Sequence, residues 1–139
     1  MRFTLSAATA VLGLTLVGGC ATPPTNLVRR DLDWGQVPVR RIRNLPDNFE
    51  PDHIVLALNQ PVRLILTNGF GPTTDFISTF FNTARYRPST KNPGVLVRLD
   101  SAQTAEFDVV PAKAGVYSIT ALGLGQGASN SSSGFIIVQ

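Results

Sequence analysis

Thr104-Ala105-Glu106-Phe107-Asp108-Val109-Val110-Pro111-Ala112-Lys113-Ala114-Gly115-Val116-Tyr117-Ser118-Ile119-Thr120-Ala121 is the stretch whose reading decides the fold. Apolar and polar residues alternate on either side of a break, and Tyr117, Ile119 and Ala121 fall on one face of an extended chain, because strand side chains repeat every second residue. Pro111 and Gly115 bracket the turn between the halves. The stretch therefore predicts two strands, Thr104 to Val110 and Gly115 to Ala121. Glu106 and Asp108 share one face of the first. They are expected to solvate that face, a general-acid pair being the alternative.

The same grammar extends outward. Gln36 to Arg43 carries Val37, Val39 and Ile42, a period-2 start that shifts phase as a bulged edge strand does. Asp52 to Leu58 and Pro61 to Thr67 are two apolar strands joined by Asn59-Gln60, a hairpin or a sheet corner. Gly94 to Leu99 and Gly134 to Val138 complete seven. Ile77, Phe80, Phe81 and Ala84, at i, i+3, i+4 and i+7, predict one short helix capped by Thr73 or Thr74, with Asp75 in its first turn and Pro88 beyond its end. Residues 123–134, almost all Gly, Ser, Ala, Asn and Gln, read as a flexible loop. Seven short strands with turn residues between them imply an all-β, antiparallel Greek-key sandwich with one short helix.

The first residues belong to something else. Met1-Arg2 is a short positive start, Phe3 to Val17 is almost uncharged and apolar, and small residues follow at Gly18-Gly19; this is the layout of a secretion signal over residues 1–19. A spanning helix needs about 20 apolar residues with anchoring flanks, whereas this run ends at Gly-Gly-Cys and passes into Ala21-Thr22-Pro23-Pro24. Leu16-Val17-Gly18-Gly19-Cys20 resembles a lipobox, which implies cleavage before Cys20 and a covalent lipid on its thiol. An ordinary signal with a chance cysteine is the alternative. Acyl chains contribute about 0.8 kcal/mol per buried methylene, so two or three hold a protein on a membrane durably. By resemblance to lipoprotein sorting rules, Ala21 in place of an aspartate implies the outer membrane. The expected domains are the signal 1–19, a lipidated start and tether 20–33, and a folded domain 34–139.

Without its first nineteen residues the chain keeps roughly 120, one domain's worth. Twelve basic residues against nine acidic give a small positive charge, concentrated early in Arg29-Arg30 and Arg40-Arg41-x-Arg43. With Asp31 and Asp33 between the pairs this reads first as a solvated, acid-balanced face; the alternative is attraction to anionic phosphates near an anchor, about 1 kcal/mol per residue. A secretion signal and the lack of interleaved basic and aromatic residues argue against nucleic acid. Cys20 is the only cysteine, so no internal disulfide is available and packing alone must hold the domain.

Phe49-x-Pro51-x-x-Ile54, Pro61-Val62-x-Leu64-x-Leu66-Thr67-Asn68, Asp75-Phe76 leading into Phe80-Phe81, Phe107-Asp108-Val109-Val110-Pro111 and Ala114-Gly115-x-Tyr117 together resemble successive landmarks of small bacterial cupredoxins, over roughly residues 48 to 139. The resemblance implies a type 1 copper site of histidine, cysteine, histidine and usually methionine. It sets Thr74 at the first histidine, Ala121 at the cysteine, Gln126 near the second histidine and Ser132 near the methionine. None supplies a comparable donor, because the copper couple needs soft sulfur and imidazole. After processing the chain has no methionine, no free cysteine and one histidine, His53. The resemblance thus implies the fold without the metal.

Other chemistry is sparse. His53 is expected to be a half-exposed strand histidine, and Asp52, adjacent to it, to point to the opposite face. Ser129 and Ser131 to Ser133 have no second histidine as base and no Gly-x-Ser-x-Gly elbow. Gly123, Gly125 and Gly127 precede no helix and no lysine, unlike a nucleotide loop. The sequence therefore predicts a non-enzymatic lipoprotein without cofactor, displayed on the periplasmic side of the envelope. Its partners would be the membrane, through Cys20, and an envelope protein or small ligand. Weak or partner-shared copper handling and a purely structural envelope role are the alternatives.

Overall fold

The structure, a computed structural model, describes residues 33–125 and 131–139. The signal 1–19, Cys20, the tether through residue 32 and Gln126 lie outside the described residues.

Ten strands and one helical turn make up the described chain: β1 Val39–Asn44, β2 Phe49–Glu50, β3 His53–Leu56, β4 Val62–Thr67, β5 Thr74–Ile77, α1 Phe80–Thr83, β6 Arg85–Tyr86, β7 Leu96–Leu99, β8 Thr104–Val110, β9 Gly115–Gly123 and β10 Ser131–Val138. They form two five-stranded sheets, in the orders β2-β1-β4-β8-β6 and β3-β10-β9-β5-β7. The all-β, two-sheet sandwich with one short helix that the alternation implies is the fold observed. Its inner faces follow from period 2. Ile42, Leu64, Leu66, Phe107 and Val109 of the first sheet meet Ile54, Leu56, Phe76, Ile119, Ala121, Ile136 and Val138 of the second in one buried cluster.

The helical turn wedges between the sheets. Phe81 packs on Phe107 of the first at 6.0 Å between ring centroids and Phe80 on Tyr117 of the second at 5.7 Å, and both phenylalanines are fully buried. Truncating either to alanine typically costs about 3–5 kcal/mol.

Asn59-Gln60 is a sheet corner. Asn59 takes a left-handed φ of 59°, which asparagine tolerates better than most residues, and the chain steps from β3 in one sheet to β4 in the other. Two ladders are parallel, β1 with β4 and β3 with β10. Each joins strands whose intervening chain passes through the opposite sheet, which alternation within a strand does not encode.

Two local expectations are corrected. Residues 74–77 are a strand and not the start of a helix, and only 80–83 are helical. β5 is hydrogen-bonded on both sides, to β9 and β7, and this two-sided pairing outweighs a one-turn helical pattern with no side-chain cap at Thr79. Phe80, Phe81 and Ala84 still point to the core. Ser131–Ser133, expected in the loop, begin β10 and pair with β9 at Ser131↔Leu122, Ser132↔Ala121 and Ser133↔Thr120. Backbone ladders need no apolar side chain, so the serines gave no strand signal.

Candidate functional site

One end of the sandwich gathers the C-termini of β1, β4, β5's partner β9 and β7, and the N-termini of β5, β8 and β10. Its buried polar groups are spent on building loops. Asn68, wholly buried, donates through Nδ2 to the carbonyls of Pro72, Leu99 and Asp100 at 2.8, 3.2 and 3.1 Å, stitching the 68–73 loop to the corner after β7. Among the described residues its Oδ1 has no partner. Asn44 accepts the Gly69 N–H at 2.8 Å. No side chain fits beside Gly69: a Cβ there would lie 2.7 Å from the Asn44 carbonyl oxygen and closer still to the Arg43 side chain laid over it.

The positions aligned with copper ligands lie at this end, on the inner side of the second sheet. Thr74, Ala121 and Ser132 are all buried, and Ala121 and Ser132 are direct cross-strand partners. Thr74 Oγ1 donates to the Pro72 carbonyl at 3.0 Å and Ser132 Oγ to the Leu45 carbonyl at 2.6 Å. The two hydroxyls are thus structural donors and Ala121 has nothing to offer. These residues do not fit a type 1 copper, and among the described residues no three of His, Cys, Asp and Glu are grouped to hold a metal ion.

Near this polar floor three apolar side chains are exposed. Phe70, between two glycines in the 68–73 loop, is exposed, as are Leu122 and Leu124. The Leu124 N–H donates to the Thr73 carbonyl at 2.7 Å, and Gly125 approaches Pro72, so Leu124 and Phe70 border the same loop, while Leu122, opposite Asp75, faces the outer side of the sheet. An aromatic flanked by glycine on both sides, outside any strand, was the available sequence signal for this patch.

Two charged clusters flank the sandwich. On the outer face of the second sheet, Arg98 clasps Asp75 with bonds of 2.7 and 2.8 Å; these bonds hold the Asp75 carboxyl below its ordinary range against the opposing effect of burial. On the outer face of the first, Asp108 accepts Arg63 Nε and Nη2 at 2.7 and 3.1 Å and Arg87 Nη1 at 3.2 Å. The Arg63 bonds lower its pKa most, burial opposes, and Arg87 adds to the lowering. Arg87 also lies over the Trp34 ring at 5.8 Å, and Arg63 reaches the Trp34 carbonyl. Asp108 is therefore a buried ion-pair centre and not a solvating carboxylate like exposed Glu106, because the register sets it opposite Arg63.

His53 is the half-exposed strand residue expected, but Asp52 does not point away from it. His53 Nδ1 and Asp52 Oδ1 are 2.7 Å apart and both side chains are exposed. Asp52 precedes the strand, so strand alternation does not separate them. His53 lies on the outer face of β3, away from Thr74, Ala121 and Ser132, and in water such a pair contributes little.

No protein-family model and no curated protein matches the chain. Among solved structures it is similar to auracyanin B, at 17% identity over 73% of this chain and 88% of that one, with a TM-score of 0.49. It is likewise similar to the dithionite-reduced auracyanin of Roseiflexus castenholzii, at 9% identity over 75% and 98%, TM-score 0.49. Auracyanin A of Chloroflexus aurantiacus, a "blue" copper protein, matches at 15% identity over 73% and 98%, TM-score 0.47.

Proposed function

We propose that this protein is a non-catalytic, lipid-anchored module of the bacterial envelope, in which a cupredoxin-like sandwich works by contact and not by electron transfer. The observation that carries the reading is the state of the loop end. Thr74 and Ser132 are committed to the carbonyls of Pro72 and Leu45, while Phe70 and Leu124 are exposed in the loops of this end and Leu122 is exposed on the outer side of β9 beside them. Apolar loop residues held on a stiff scaffold suit recognition of a protein or small apolar ligand. The cupredoxin landmarks in the sequence support the fold part of the reading, since Phe49, Ile54, Leu64, Leu66, Phe76, Phe80, Phe81, Phe107 and Val109 are all core residues. The anchor part is supported by the Leu16 to Cys20 motif and the charge and hydropathy of residues 1–19; it sets the protein on the periplasmic side, at the outer membrane.

Two measurements test the two parts. Metabolic labelling with palmitate should mark the wild-type chain and not the Cys20→Ser variant; labelling of both, or of neither, refutes the anchor. A photo-crosslinking residue at Leu122 should give a discrete adduct in intact cells that Phe70→Ser weakens, while the same probe at Ala112, at the opposite end, gives none. Equal adducts at both positions refute recognition by the loop end. Tight, stoichiometric copper binding by the purified protein would overturn the contact reading in favour of metal handling.

A further inference from the structure

β10 ends without alternation. Phe135-Ile136-Ile137-Val138 are four consecutive apolar residues, the pattern of a strand covered on both sides. Ile136 and Val138 point into the core, so Phe135 and Ile137 point outward. The register extends them into a surface. Val55 and Val116 flank Ile137 in one row across β3, β10 and β9, and Phe135 stands in the next row between His53 and Ser118. A further row carries Thr120, Ile77 and Leu96 on β9, β5 and β7. Val116 is 68% exposed and Phe135 51%, at outer positions that a solvated sheet gives to polar residues.

The two outer faces of the sandwich differ in kind. That of the β2-β1-β4-β8-β6 sheet carries Arg41, Arg43, Arg63, Glu106 and Asp108, a mixture of both signs. On the apolar face the charged groups are the Asp75–Arg98 clasp and the His53–Asp52 pair, each with its partner beside it. They stand toward opposite edges, and the outward positions between them include Ser118, Thr120 and Ser133, all uncharged.

The described chain begins on the other side. The Trp34 ring lies beside Arg87 and its carbonyl accepts from Arg63, whose side chain is on the outer side of β4. The residues before Trp34 therefore join the domain at the charged face and not at the apolar one.

From these observations we infer that the outer face of the β3-β10-β9-β5-β7 sheet pairs with the same face of a second copy of this chain, sheet against sheet, about a twofold axis. With strands about 4.8 Å apart and outward rows about 6.8 Å apart, the face covers on the order of 500 Å². Two copies then remove on the order of 1,000 Å² from water, the lower bound of a specific contact, so the pair is reversible. A twofold axis brings residues near it close to their own counterparts, where like charges would repel. The uncharged centre meets that condition and gives a charged partner nothing to complement. The contact repeats the sheet-on-sheet packing within the monomer. It needs neither the lipid anchor nor the loop end.

Two copies of the full-length chain with different epitope tags are expressed together, one bearing a photo-crosslinking residue at Val116. An adduct of twice the chain mass that carries both tags is expected, and the same probe at Glu106, on the charged face, should give none. Phe135→Lys and Ser118→Lys in both copies set like charges against each other across the axis, and each should lower the two-tag yield roughly tenfold or more. Both positions are exposed. Unchanged abundance and protease resistance report folding, and Ser118→Lys decides the matter if Phe135→Lys fails that check. Arg41→Gln and Phe70→Ser should leave the yield unchanged, which separates this contact from one at the loop end. An adduct to lipid, an adduct with one tag and a foreign mass, or no adduct refutes the pairing. So does a two-tag yield equal at Glu106, indifferent to lysine, or lost with Phe70→Ser.

Discussion

Replacing Asp108 with asparagine removes one charge and leaves the shape of the side chain, so it isolates the ion cluster beside Trp34. Asp108 accepts three bonds from two guanidinium groups. Hydrogen bonds to charged groups contribute about 1.5–3 kcal/mol each, and breaking a buried pair costs about 3–5 kcal/mol. Here the arginines are 30 and 40% exposed, so water compensates part of the loss, and asparagine still accepts one bond. The expected cost is about 2 kcal/mol at neutral pH. Because the folded-state pKa of Asp108 is lowered, its contribution is present above the unfolded-state value of about 3.9 and is lost as pH falls through the folded one. The gap between wild type and Asp108→Asn should therefore be full above about pH 5 and close progressively below about pH 4. Urea unfolding at pH 7, 5 and 3, followed by Trp34 fluorescence and circular dichroism together, measures it; with a slope near 1 kcal/mol/M the midpoint at pH 7 should fall by roughly 2 M. Glu106→Gln, on the same face and in no ion pair among the described residues, should change stability by less than about 0.5 kcal/mol. A cost for Asp108→Asn that is absent at pH 7, or undiminished at pH 3, refutes the assignment.

Gly134→Ala should destabilise by about 1–3 kcal/mol, since the added Cβ would lie 2.6 Å from the Asp52 carbonyl oxygen and 3.0 Å from the Phe49 ring; calorimetry should show a drop of roughly 5–15 °C in melting temperature, and an unchanged value would mean that β10 and the 49–52 segment do not meet so closely. Tyr86 donates its hydroxyl to the Phe81 carbonyl at 2.6 Å, and burial raises its pKa. Folding thus favours its neutral form, a contribution present below the unfolded-state value of about 10 and lost as pH rises beyond it; ultraviolet titration should show Tyr86 ionising only together with unfolding, and Tyr86→Phe should flatten the alkaline loss of stability.

How much was legible in the chain varies by element. Thr104–Val110 has the limits that alternation gives it, because one of its faces is core and the other is not. β5 was misread because a central strand draws its stability from neighbours on both sides, which a local pattern cannot see. Ser131–Ser133 were missed for the converse reason, their strand being written in backbone bonds. At the site, donor chemistry was readable residue by residue: Thr74, Ala121 and Ser132 are no ligand set whatever their geometry. That Thr74 and Ser132 serve the carbonyls of Pro72 and Leu45 was not readable, since those partners lie in loops with no period of their own.

By itself the sequence determined the class of fold and the residue types that stand at 74, 121 and 132, none of them a thiol, imidazole or thioether, since both depend on residue type and on spacing within a strand. Only the tertiary structure decided which charges meet. Arg63 and Asp108 are 45 positions apart and become one cluster through the register of β4 on β8, as Arg98 and Asp75, 23 positions apart, become a pair through β5 on β7. Coulomb attraction acts across a few ångströms of space, and distance along the chain does not measure that.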